Sequence, residues 1–454
     1  MNIRHITAAA LLATGGAGLL SSALAQTGDR LPWGALKAGN KDGTIPAWDG
    51  GLPTTTSPAG FKKDSGFWAD PFAADKPLYT VTAKNLDQYA DKVNESTKEL
   101  LKRYPTTFRL DVYPSRRTAN YAPWVVESMV KNAAGRCKVS ENGEAVTGCF
   151  GGTPFPTPKT GYEAMWNMQL AAKGASLWTY GQAWYVDGNG NKVMTAEVNN
   201  RNHNDYYNKN LTAEQFYAQG GLYLANNNTY TAPARVTGEG NLQRKTVNPV
   251  AVPDKTWSYT PGQRRVRLSP DAAYDFPVAT SGGAMLYDEI YTFAGKMDRF
   301  DWKLIGTQEM LLPYNAYKYA NAKADELLMK GHPNPDLMRW ELHRVLVVEA
   351  TLKPGSRHVA AKRRYYLDED MPAAAVVDGW DASGKLSKGI WSPVIWAYDK
   401  QVMPTLGSFY FELNTGAWYN SSILGNYKGL FVETDTVDVP TFYSAEGLAR
   451  RTQR

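Results

Sequence analysis

Arg339-Trp340-Glu341-Leu342-His343-Arg344-Val345-Leu346-Val347-Val348-Glu349-Ala350-Thr351-Leu352 is the stretch on which the fold class turns. Trp340, Leu342, Leu346, Val348, Ala350 and Leu352 recur at a spacing of two with only Arg344 interrupting them, while Glu341, His343, Glu349 and Thr351 take the other face. A period of two is a strand. At about 3.3 Å per residue the run is longer than the usual strand of about 5–6 residues. Strands this long with one apolar face belong to large curved sheets or open barrels.

The alternation continues outward from there. Trp178, Tyr180, Gln182, Trp184 and Val186 share a strand face, Asp187-Gly188-Asn189-Gly190-Asn191 turns the chain, and Val193 to Val198 returns as a hairpin. Trp257 and Tyr259 alternate with Thr256 and Ser258. Phe409, Phe411 and Leu413 alternate with Ser408, Tyr410 and Glu412 before Asn414-Thr415-Gly416 turns into Ala417-Trp418-Tyr419. One helical repeat stands out: Leu86, Tyr89, Ala90, Val93, Thr97, Leu100, Leu101 and Tyr104 predict a helix near 85–104, ending before Pro105. Residues 26 to about 75, rich in Gly, Pro, Asp and Thr, read as an extended segment lying over something else. No βαβ rhythm and no 20–50-residue repeat is present. The expectation is a single mainly β (α+β) domain over 26–454. An extended N-terminal wrap fills 26–135, and 136–454 is an antiparallel β-meander, strongly curved into an incomplete barrel with a few helices on its concave side.

The N-terminus reads as a secretion signal, with a basic start at Arg4, an apolar run from Ile6 to Leu20, and small residues Ala23 and Ala25 before Gln26. Cleavage after Ala25 leaves 454 − 25 = 429 residues. Gly15, Gly16 and Gly18 break a run already short of the roughly 20 apolar residues of a membrane span. The expected location is the periplasm. The two cysteines, Cys137 and Cys149, flank Glu141-Asn142-Gly143-Glu144, and Asn-Gly is a strong turn signal. A loop at 142–144 sets the cysteines opposite each other, which in an oxidising compartment reads as a disulfide, with two free thiols as the alternative. Net charge is +6 with Lys and Arg dispersed, so no nucleic-acid arm is present. The 14 Trp and 27 Tyr suit broad sheet faces, or a surface that touches greasy or sugar ligands.

Catalytic patterns are missing: there is no Gly-x-Ser-x-Gly, His-Glu-x-x-His, phosphate loop or Cys-x-x-Cys, so no catalytic residue, metal ligand or cofactor is assigned. Asp187, Asn189 and Asn191 imitate the start of a calcium loop, but its twelfth position is Val198, and a hairpin turn is the simpler reading. Arg201-Asn202-His203-Asn204-Asp205 could hold a His203/Asp205 acid–base pair or be a solvated loop. In Gln263-Arg264-Arg265-Val266-Arg267, Arg265 and Arg267 share a face. They could fork onto a carboxylate or phosphate, or pair with Asp271, Asp275 or Asp288.

Several motifs carry a resemblance. Lys37-Ala38-Gly39-Asn40-Lys41-Asp42-Gly43-Thr44-Ile45-Pro46-Ala47-Trp48, Asp111-Val112-Tyr113-Pro114-Ser115-Arg116-Arg117, Pro261-Gly262-Gln263-Arg264-Arg265-Val266-Arg267, Arg339 to Val345, and Tyr366-Leu367-Asp368-Glu369-Asp370 stand in order along the chain. They resemble the exported bacterial family catalogued as domain of unknown function 1329. Pro154-Phe155-Pro156-Thr157-Pro158-Lys159, Trp166-Asn167, Pro313-Tyr314-Asn315 and Pro354-Gly355-Ser356-Arg357-His358 extend the likeness, with Met168 standing where the pattern would have His. The family is similar to LolA/LolB-like lipoprotein-sorting proteins. The resemblance therefore implies an incomplete antiparallel barrel around a greasy cavity, working beside an inner-membrane efflux-type transporter and an outer-membrane protein. The function expected is a periplasmic carrier of a lipid-like amphiphile, held by Trp178, Tyr180, Trp184, Trp257, Tyr259, Trp340 and Leu342. Arg265, Arg267 or Arg344 would meet its head group. The alternatives are a secreted hydrolase built on His203/Asp205, or a ligand-free structural component of an envelope transport complex.

Overall fold

The computed structural model describes residues 29–269, 273–373, 375–433 and 439–452; the segment 1–25 read as a signal lies outside them. In chain order its strands are β1 (Tyr79–Val81), β2 (Leu110–Tyr113), β3 (Lys138–Val139), β4 (Val146–Thr147), β5 (Ser176–Val186), β6 (Lys192–His203), β7 (Leu222–Ala232), β8 (Gly240–Thr246) and β9 (Lys255–Thr260). They continue as β10 (Arg265–Leu268), β11 (Phe300–Pro313), β12 (Trp340–Leu352), β13 (Ala360–Asp368), β14 (Ala375–Asp381), β15 (Leu386–Ser392), β16 (Phe409–Glu412), β17 (Ala417–Ile423) and β18 (Gly429–Glu433). All but β3 and β4 belong to one sheet.

The sheet consists of two antiparallel meanders joined at a seam. β11 to β17 pair in succession, β17 pairs with β5, and β5 to β10 follow in succession. β18 extends the line of β17 along β5, and β2 lies parallel to the first residues of β12. No pairing joins β10 to β11 among the described residues, so the barrel stays open. The long strand expected at 339–352 is β12, held by β11 from Pro313↔Trp340 to Phe300↔Leu352. Its second face is not left to water: Glu341 and His343 are buried, because the N-terminal part of the chain and Tyr314-Asn315 cover them.

The helix expected near 85–104 is divided. Leu86–Tyr89 forms a 3-10 turn, and the α-helix runs Glu95–Arg103. Two contacts account for the break. The Lys92 carbonyl accepts from Leu311 N–H of β11, and Asp378 of β14 takes the N–H groups of Glu95 and Ser96 at 2.9 and 2.8 Å. A strand carboxylate thus caps a helix N-terminus whose own Asn94 makes no cap. Leu100 and Leu101 are buried beneath this helix, and Trp391 Nε1 donates to Thr97.

The face of β5–β8, β16 and β17 that carries Thr179, Asn200, Asn228 and Tyr410 is here the inner face. The helix Gly161–Gln169 packs against β11 and β12. Most of the inner face is roofed by the irregular segment 273–299, which has no helical or strand period to betray it. The helices Glu95–Arg103 and Ala445–Thr452 lie on the outer face, the second over Leu242 and Tyr259.

Cys137 and Cys149 form a disulfide with a Cα–Cα distance of 4.7 Å. The hairpin register differs by one from the sequence expectation, since Lys138 faces Thr147, which sets Gly148 rather than Cys149 across from Cys137. Gly148, at φ +76°, takes up the extra residue, and a Cβ there would stand 2.0 Å from the Arg136 carbonyl oxygen. The staple spans a separation of 12 residues. Reducing it, or replacing both cysteines by Ser, is expected to cost about 3 kcal/mol on the loop-entropy model. Thermal melts with and without reductant check this; identical midpoints would refute it.

Candidate ligand-binding cavity

Between the inner face and its roof lies a cavity of about 940 Å³, the space at its mouth included. Its floor comes from alternate residues of four neighbouring strands. Asn202, Asn226 and Gln243 stand in one cross-strand row, and Asn200, Asn228 and Asn241 in the next. The amides hydrogen-bond one another: Asn200 Nδ2 donates to Asn226 Oδ1 at 2.8 Å, Asn228 Nδ2 to Asn241 Oδ1 at 2.9 Å, and Asn241 Nδ2 to the Tyr230 hydroxyl at 2.9 Å. The roof contributes Val278, Met285 and Ile290, with Leu406 beside them. Among the described residues no charged side chain lines this space. The cavity is two-sided, with the amide rows below and mainly hydrocarbon above, where Thr280, Tyr287 and Tyr291 of the roof also reach it.

The roof is pinned by buried charge. Asp288 accepts from Arg363 at 2.7 Å and sits 3.0 Å from His358 Nε2, while Glu289 meets Lys388 at 3.1 Å. The Tyr410 hydroxyl of β16 donates to the Glu289 carbonyl. Burial alone would raise the Asp288 carboxyl, but Arg363 and His358 outweigh it and hold the group below its ordinary range.

At one end the cavity adjoins a smaller space of about 510 Å³, its opening to solvent likewise included, with Leu177, Asn202, Tyr291 and Thr405 common to both. Tyr291 and Thr292 have φ of +54° and +76°. Two successive non-glycine residues in the left-handed region are strained, more so with a β-branched one. This kink turns the Tyr291 ring into the junction.

The aromatic residues named from the sequence lie elsewhere. Trp178 is on the outer face of β5, with Arg201 over its ring at 4.1 Å. Tyr180 packs against Tyr427 and Phe431, and the Trp184 indole reaches Gln182. Tyr259 is buried under the C-terminal helix with Trp257 beside it. The Trp340 ring meets Trp391 edge-on, and Leu342 is likewise core. Arg265 and Arg267 are exposed on the edge strand β10. Arg344 is engaged by Glu369 at 2.7 Å and by the carbonyls of Leu36 and Ala38, so it ties down the N-terminal segment. Residues 177, 179 and 183 of β5, smaller than the rings between them, are the ones that line the cavity. Small side chains leave room; large rings fill it.

His203 and Asp205 do meet, at 2.7 Å. Ser176 faces His203 across β5 and β6, but its hydroxyl donates to the Asn202 carbonyl, and Tyr443 lies against the imidazole. That leaves the pair without an activated nucleophile there. Asp187 is consumed by its own turn, accepting from Asn189 N–H, Asn191 N–H and Asn191 Nδ2.

The family model described as protein of unknown function (DUF1329) matches residues 80–448. The chain belongs to the DUF1329 family. An uncharacterized protein of Pseudomonas aeruginosa is 39% identical to this DUF1329 protein over 385 residues, covering 82% of this chain and 80% of the relative. Among solved structures it is similar to a DUF1329 family protein from Desulfovibrio piger, at 13% identity and a TM-score of 0.44, with 63% of this chain and 97% of that one covered. It is also similar to a LolA superfamily protein from Nitrosomonas europaea, at 10% identity and a TM-score of 0.36, with 63% and 98% covered. Among the described residues, no helix of this DUF1329 protein is long and apolar enough to cross a membrane.

Proposed function

We propose that this protein is an envelope carrier or transport accessory that holds an amphiphilic molecule lengthwise in the roofed cavity. One observation carries the reading: a roofed space lined among the described residues by no charged side chain, with an amide floor facing a mainly apolar roof. Such a space matches a molecule that is itself two-sided. Each methylene placed against Met285 or Ile290 gains roughly 0.8 kcal/mol, and a hydroxyl, ester or amide on the guest finds partners in the asparagine rows. A merely structural component would have no use for a space kept open by the small inward residues of β5.

Protein purified from the periplasm is expected to release a hydrophobic molecule on solvent extraction, visible as added mass under native conditions. Thr405→Trp, which fills the junction of the two spaces, is expected to lose that mass while melting within about 2 °C of wild type. Wild-type protein that emerges empty and ignores twelve-carbon amphiphiles would leave a scaffold as the function.

A further inference from the structure

Resting on that reading, we infer that the smaller space, where it meets the larger one at Tyr291, is an anion-binding head-group subsite, built by Lys173 and Tyr291, for a carboxylate or phosphate at the end of the guest. Lys173 follows the helix Gly161–Gln169 and lines the smaller space together with Gln169, Asn202 and Tyr291. Its ammonium lies 5.2 Å from the centre of the Tyr291 ring. Among the described residues no carboxylate pairs with it, although the other enclosed cations around the inner face, Arg363 and Lys388, each hold one. Enclosure lowers its pKa to about 8, which leaves it mostly protonated at neutral pH and short of a counter-charge.

Tyr291 completes the arrangement. Its hydroxyl accepts from Asn202 Nδ2 at 2.9 Å and from Asn226 Nδ2 at 2.7 Å, which occupies both lone pairs. Its own proton is left to give. Burial pushes that hydroxyl up to about 12, so the proton stays on at neutral pH. Asn202 Oδ1 is buried without a partner in the same wall. The subsite therefore offers two donors, one of them charged, beside one acceptor. This suits an anionic oxygen group with a hydroxyl or amide N–H next to it. The strained backbone at 291–292 is the cost of aiming the ring there. Anchored at that point, a chain would run under Ile290 and Met285 through the larger space.

The test compares dodecanoate, dodecyl phosphate and neutral monolaurin, each below its micelle concentration, by titration calorimetry on the full-length mature protein. Wild type is expected to bind one or both anions roughly tenfold or more tighter than monolaurin, and the stronger of the two identifies carboxylate or phosphate as the source. Lys173→Met is expected to lose that preference, weakening anion binding by roughly ten- to a hundredfold with monolaurin unchanged. Lys173→Arg is expected to retain it. The inference is overturned if Lys173→Met binds anions as wild type does, or if wild type shows no preference while binding all three; the carrier reading survives either result. Failure of all three probes to bind removes both.

Discussion

Arg363→Met is expected to lower folding stability by about 3–5 kcal/mol and to loosen the roof of the cavity, because it strands a buried carboxylate. Arg363 is buried, and its two arms reach Asp288 at 2.7 and 3.2 Å. With the guanidinium gone, Asp288 keeps only His358 among the described residues, and Glu289 keeps Lys388. The methionine fills most of the volume, so the loss is electrostatic rather than a cavity effect. The damage should be local to segment 273–299, whose tie to β13 runs through this pair. Faster amide exchange across 274–297 with little change in β5–β8 is the expected signature. Asp288→Leu combined with Arg363→Met should recover most of the midpoint, since removing both partners leaves no orphaned charge. A single variant melting within a degree of wild type, with an unchanged exchange map, would mean the roof is held by something else.

The same physics explains what could be read from the chain. β12 was readable because its apolar period survives over its whole length, and the β5–β6 hairpin because an Asp-Gly-Asn-Gly turn separates two alternating runs. Alternation tells which residues share a face; it does not tell which face looks inward. In a sheet covered on both sides, the rings of Trp178, Tyr180 and Trp257 could serve either cover, and they serve the outer one. The asparagines at 200 and 202, 226 and 228, and 241 with Gln243 do recur at period two in three successive strands. Polar alternation ordinarily means water, however, and only the roof turns this face into a cavity floor. The roof, an irregular segment that includes the left-handed Tyr291 and Thr292, carries no periodic signal. Charge pairs such as Asp288–Arg363 join positions 75 residues apart, a distance over which spacing says nothing.

His343 should make stability fall on the alkaline side. Its imidazole sits between Glu341, 3.0 Å from Nε2, and Asp368, 3.3 Å from Nδ1, with the Tyr314 ring stacked at 3.8 Å. Burial opposes the charge, but the two carboxylates more than offset it and raise the pKa to about 9. A group raised on folding stabilises fully below its unfolded pKa of about 6.5 and loses that contribution as pH climbs through 9. The expected loss is about 2 kcal/mol between pH 7 and 9.5. Glu369, which burial and Asp370 raise to about 7, completes its titration lower down, but Lys173, lowered to about 8, gains stability over the same range, so the limb of His343 is read in a Lys173→Met background. Glu341 is shifted the opposite way, because His343 and Arg339 outweigh its burial; its contribution is present above about 4.5 and disappears in acid. His343→Phe keeps the stacking on Tyr314 but leaves Asp368 and Glu341 facing each other without the cation. It should cost about 3–5 kcal/mol at pH 7 and flatten the alkaline limb. Melting midpoints at pH 7, 8 and 9.5 decide it. A Lys173→Met midpoint that holds steady to pH 9.5, or a His343→Phe change in that background that keeps its slope, would show that the imidazole is already neutral and that Arg339 alone balances the two acids.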